Sequence, residues 1–164
     1  MNPRRVIGIG CDDHGDQVAG LLVARVVAAA APDDVTVVES CGAPAELIDA
    51  WCDADEVTVV EAMPGAVAGT VATCQPHPRP LAFGCSPTRL SPEVREALAS
   101  GPLPTRITVI TIAAQRFSRN AGVSPDVAHA AHGVATGLLA DLGAGVAAAT
   151  PVAVPPPMRQ TVGV

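Results

Sequence analysis

Arg5-Val6-Ile7-Gly8-Ile9-Gly10-Cys11-Asp12-Asp13-His14-Gly15-Asp16-Gln17-Val18-Ala19-Gly20 decides the reading of this chain. A short apolar run, Arg5 to Gly10, ends in glycine and reads as a first strand. An apolar stretch from Gln17 to Ala31, stopped by Pro32, reads as a helix. A strand that passes through glycines into a helix suggests a dinucleotide fingerprint, but the pattern fails. The third glycine of GxGxxG falls on Asp13, and Asp12, Asp13 and Asp16 would face a pyrophosphate where a helix N-terminus should offer only donors. No nucleotide is expected there. The same acids suit a helix N-terminus electrostatically, so capping of the helix stays open beside a functional role.

Strand and helix patterns alternate outward from this loop. Val35 to Glu39 is a second β-branched strand, Pro44 to Trp51 a short helix and Val57 to Val60 a third strand. Gly69 to Cys74 reads as a fourth strand at an edge. Residues 75–88 hold four prolines and read as a loop. Ser91 to Ala99 is a helix with Ser91 as N-cap and Pro92 at its first position. Arg106 to Ile112 is a fifth strand. Ser124 to Leu142 is a last helix with an apolar stripe at Val127, Ala131, Val134, Leu138 and Leu142. The fold class is therefore α/β: a three-layer α/β/α domain over residues 1–148, with about five strands in a mostly parallel twisted sheet and helices on both faces. Residues 149–164, with prolines at 151, 155, 156 and 157, read as a disordered tail.

Composition excludes several classes. The net charge is −6, every basic residue is Arg, and no basic stripe exists to neutralise phosphates, so nucleic acid is not an expected partner. No apolar run reaches the ~18 residues of a membrane span, and no signal peptide is read, which points to the cytoplasm. The five cysteines are odd in number, and none are spaced as CxxC. A disulfide framework and a structural zinc site are not expected.

In a parallel sheet, ligands bind at the carboxyl ends of the strands. Those ends carry the acids of the first loop, Glu39 and Glu61. Glu61 directly follows four apolar residues, so it must be solvated, paired or ligating. His129 and His132 on the last helix read as a solvated face opposite the apolar stripe. His77, between two prolines, suggests nothing specific.

These elements, in order, resemble the hydrogenase maturation endopeptidases. The likeness runs from about Val6 to Leu142. It rests on Gly8-Ile9-Gly10-Cys11 followed by Asp16-Gln17 and Gly20, on Val59-Val60-Glu61-Ala62, and on Ile110-Thr111-Ile112 through Phe117 and Gly122-Val123-Ser124-Pro125-Asp126-Val127. The resemblance implies a twisted sheet of about five strands between helices. It implies an endopeptidase that recognises nickel already installed in a hydrogenase large-subunit precursor and removes a C-terminal extension. Glu61 would contact the metal or polarise the attacking water, and Asp16 would assist. The family's nickel-contact positions fall on Gln17, Glu61 and Thr88, and Cys11 stands at the family's asparagine. Gln and Thr offer neither a charge nor an imidazole nitrogen to a transition metal, which makes His14 and Cys85 the substitute donors to consider. The alternative is a catalytically silent homologue that binds or helps assemble a hydrogenase-like partner.

Overall fold

A computed structural model describes residues 3–76 and 89–143. Five strands form one sheet in the order β2-β1-β3-β5-β4: β1 Arg4–Ile9, β2 Val35–Ser40, β3 Glu56–Pro64, β4 Val71–Cys74 and β5 Arg106–Ala114. The first three neighbour pairs are parallel, and β4 runs antiparallel to β5 at the edge. Among the described residues four α-helices cover the sheet: α1 Ala19–Ala28, α2 Pro44–Trp51, α3 Pro92–Ser100 and α4 Pro125–Asp141. The expected α/β architecture and the edge position of the fourth strand are both observed. No helix among the described residues is long and apolar enough to cross a membrane.

Period-two alternation divides the core into two layers. Val6, Val60, Ile110 and Ile112 pack with α1 and α4 through Ala19, Val23, Val27, Val127, Ala131 and Leu138. Ile7, Val57, Val59 and Val109 pack with α2 and α3 through Leu47, Trp51, Val94 and Ala97. Trp51 is fully buried, and its indole N–H donates to the Pro102 carbonyl at 3.1 Å. Val127, Ala131 and Leu138 of the expected α4 stripe are buried, whereas Val134 and Leu142 are only partly so; Ala135 and Leu139 complete the buried face. His129 and His132 are exposed, as a solvated face requires.

The glycines of the opening stretch serve close packing of α1 on the sheet. A Cβ on Gly8 would lie 2.2 Å from the Gly20 carbonyl oxygen, and one on Gly20 would lie 2.2 Å from the Ile9 oxygen and 2.4 Å from that of Val60. Only glycine at both positions lets α1 sit this near β1 and β3.

Three expectations change. The helix after β1 does not begin at Gln17: Gly15–Val18 forms a 3-10 turn, and α1 follows it. β3 and β5 run further than the apolar patterns predict, to Pro64 and Ala114, because they pair in register along their whole length. Glu61 therefore stands inside β3, opposite Thr111, rather than beyond its end. Finally, Cys74, buried at the end of β4, is disulfide-bonded although the sequence predicts no disulfide framework. The free thiols among the described residues are Cys11, Cys41 and Cys52.

Candidate functional site

The strand order 2-1-3 makes the carboxyl ends of β1 and β3 a topological switch point, since the chain leaves β1 toward one side and later returns on the other. A cavity of about 340 Å³ opens at this edge. Ile9 and Gln17 line it from the first loop, Cys41 to Ala43 from the turn after β2, Glu61 and Ala62 from β3, and Ser91 and Glu93 from the start of α3. Two of the sequence-predicted positions, Gln17 and Glu61, thus meet in one cleft. Thr88 and Cys85 lie outside the described residues.

Glu61 continues the Val57, Val59 row of β3, so it faces the α2/α3 layer and is 2% exposed. The N-terminus of α3 is set over it. Ser91 caps α3 by accepting from the Val94 N–H at 3.2 Å, and its own N–H donates to Glu61 Oε1 at 3.1 Å. Burial pushes the Glu61 carboxyl up from its ordinary value and Glu93 adds a like charge, while the Ser91 bonds oppose the rise. A buried carboxyl with a raised pKa, lining a cleft, is placed to exchange a proton with a bound group.

Asp16 takes another place. It is fully buried and absent from the cleft's lining. Its Oδ2 accepts from the N–H groups of Gln115 at 3.1 Å and Arg116 at 3.0 Å, and its Oδ1 accepts from the Ser124 N–H at 2.6 Å. Its own N–H donates to the Arg116 carbonyl at 2.7 Å. Burial opposes the charge, yet the three amides outweigh it and hold the carboxyl below its ordinary value. Asp16 therefore fastens the first loop to the segment between β5 and α4. Both carboxylate oxygens are engaged by backbone amides, and Asp16 does not line the cleft where Gln17 and Glu61 meet.

The acids of the first loop do not cap a helix either, since neither the 3-10 turn nor α1 has a side-chain cap. Asp12 and Glu39 instead clamp Arg25, at 2.7 and 2.8 Å. Asp13 pairs with Arg119 at 3.1 Å and touches both Cys11 and His14. His14 is thereby held in the loop and does not line the cleft with Gln17 and Glu61.

Sequence reasoning missed the cleft's other walls, Cys41 and the Ser91/Glu93 turn. The Ser-Pro-Glu start of α3 was legible as a helix cap, but nothing local shows that this cap ends above Glu61. Cys41 offered no signal: it is exposed, and its thiol donates to Glu46 at 3.3 Å.

No family model matches the chain, and no curated protein matches it in sequence. Solved structures do. The hydrogenase maturating endopeptidase HybD from Escherichia coli superposes with a TM-score of 0.66 at 18% identity, covering 87% of this chain and 93% of that one. A second endopeptidase from Escherichia coli gives 0.69 at 21% identity, covering 87% and 92%. The hydrogenase 2 maturation peptidase from a Thaumarchaeota archaeon gives 0.64 at 19% identity, covering 85% and 97%. At these identities the likeness is one of architecture, and the chain has the fold of the hydrogenase maturation endopeptidases across nearly its whole described length.

Proposed function

We propose that this chain is a cytoplasmic hydrogenase-maturation-type endopeptidase, cutting a C-terminal extension from a nickel-loaded large-subunit precursor. The observation that carries the reading is Glu61. It is a buried carboxyl with a raised pKa, inside a cleft at the switch point of a fold shared with such endopeptidases. The metal arrives with the substrate. Glu61 contacts it or takes the proton of the attacking water as that water adds to the scissile carbonyl, and Gln17 orients substrate from the facing loop. Asp16 acts only as a positioning residue.

Incubation with a nickel-loaded precursor tests this reading. The wild-type chain should shorten the precursor and Glu61→Gln should not, with both proteins equally folded. One observation favours a second reading. The cleft presents the neutral Gln17 where the resemblance implies an acid, which suits a silent homologue that binds the precursor without cutting it. A tight complex with no shortening of the precursor would select that reading.

A further inference from the structure

Three donor atoms of different chemistry converge in the first loop, outside the cleft. Cys11 Sγ lies 2.8 Å from Asp13 Oδ1 and 3.2 Å from His14 Nδ1, and His14 Nδ1 lies 2.6 Å from the same Asp13 oxygen. All three side chains are half-buried, within reach of an ion from solution. The arrangement is not a nucleophilic relay. A relay uses the two ring nitrogens of histidine for two different partners, whereas here thiol and carboxylate both meet Nδ1. Three donor atoms this near one another can chelate one ion. From this geometry we propose a divalent transition-metal site formed by Cys11, Asp13 and His14, with its fourth position open to water or an exogenous ligand.

Thiolate, imidazole and carboxylate together suit zinc, cobalt or nickel rather than calcium or magnesium. Tetrahedral bonds of normal length would separate the donors by about 3.3 to 3.6 Å. The edges of the triangle must therefore open by about 0.4 to 0.7 Å, within reach of side-chain rotation alone. Binding exchanges the Cys11 S–H proton for the metal and releases that proton to solvent.

The loop is built to hold the donors still. The Asp13 carbonyl accepts from the Asn120 N–H at 2.6 Å, and the His14 carbonyl accepts from the Gln17 N–H at 3.1 Å. Gly15, at φ 59°, lets the chain turn against the Arg116 carbonyl, where a Cβ would lie 2.5 Å from its oxygen. Arg119 Nε engages Asp13 Oδ2 at 3.1 Å, which orients the carboxylate and leaves Oδ1 toward the thiol and imidazole. Such outer partners typically change metal affinity about 10–100-fold when removed.

The proposal stands apart from the endopeptidase reading, because it uses none of the cleft residues. Cobalt titration of the reduced full chain tests it. One equivalent should bind and give a thiolate-to-cobalt charge-transfer band. Cys11→Ser should abolish the band and His14→Ala should weaken binding at least about tenfold. Cys52→Ser, a free exposed thiol outside both sites, should bind like wild type. A band that survives Cys11→Ser, or no band with excess cobalt, overturns the site. Should a variant misfold, the wild-type chain still decides: zinc must slow alkylation of Cys11 while leaving the exposed Cys41 and Cys52 reactive, and equal alkylation of Cys11 with and without zinc refutes the site.

Discussion

Replacing Asp16 by Asn separates a positioning role from a catalytic one. The carboxylate is fully buried and accepts three backbone N–H groups, two on Oδ2 and one on Oδ1. An asparagine keeps one oxygen, which can serve Gln115 and Arg116. Its amide nitrogen then faces the Ser124 N–H, donor against donor, across the present 2.6 Å. The change loses a charge-assisted bond and strands a buried N–H, together about 3 kcal/mol. Asp16→Ala strands all three and should cost about 5 kcal/mol, at the upper end for single substitutions. For a domain of this size, 3 kcal/mol lowers the melting temperature by about 6–12 °C. The pH dependence follows from the depressed carboxyl. A native pKa below the unfolded one contributes stability above the unfolded value, and that stability is lost as pH falls through the native value. The gap between wild type and Asp16→Asn in urea unfolding should thus be constant from about pH 5 to 8 and shrink below about pH 4. A gap under about 1 kcal/mol at pH 7, or one that persists unchanged into strong acid, would show that the three amides do not hold Asp16 as a charged group.

Three further outcomes are expected. Glu61→Gln should be at least as stable as wild type at pH 8. Its advantage should fade as pH falls toward 4.5, because a carboxyl whose native pKa is raised contributes stability at low pH that is lost as pH rises through the native value; urea midpoints at the two pH values check the sign. Gly20→Ala forces a methyl to 2.2 Å from the Ile9 carbonyl oxygen and should destabilise by about 3 kcal/mol, read as a lowered melting temperature. Arg25→Ala removes two exposed ion pairs, to Asp12 and Glu39, and should change the urea midpoint by less than about 1 kcal/mol in free energy; a larger loss would show that these pairs are not the weak surface contacts their exposure implies.

The elements that announce themselves locally were legible. The β-branched runs of β1, β2 and β5, the Ser-Pro helix start at Ser91 and the α4 stripe each carry a periodicity or a cap that the residues express without neighbours. Their alternation dictates a parallel sheet, and with it the edge where a ligand site belongs. Glu61 was conspicuous because an acid after a buried strand demands a partner. Other features belong to pairs of segments distant in sequence. The lengths of β3 and β5 come from their mutual register, and the spacing role of Gly8 and Gly20 comes from how near α1 rides on β1.

The four carboxylates around the first strand–helix junction show the division most sharply. Asp12, Asp13, Asp16 and Glu61 share one charge and one edge of the sheet, and nothing local distinguishes their roles. Asp16 is enclosed by amides from 99, 100 and 108 residues away, while Asp12 and Asp13 are met by arginines 13 and 106 residues on. Among the described residues Glu61 receives a single amide, across 30 residues, and keeps a wall of the cleft. The α/β class, the ligand edge and the candidate acids are readable from contiguous residues, since hydrophobic period and helix caps are local properties. Which carboxylate is bound by backbone amides and which lines the cleft emerges from long-range packing, because a buried charge takes its pKa from whatever donors the fold brings to it.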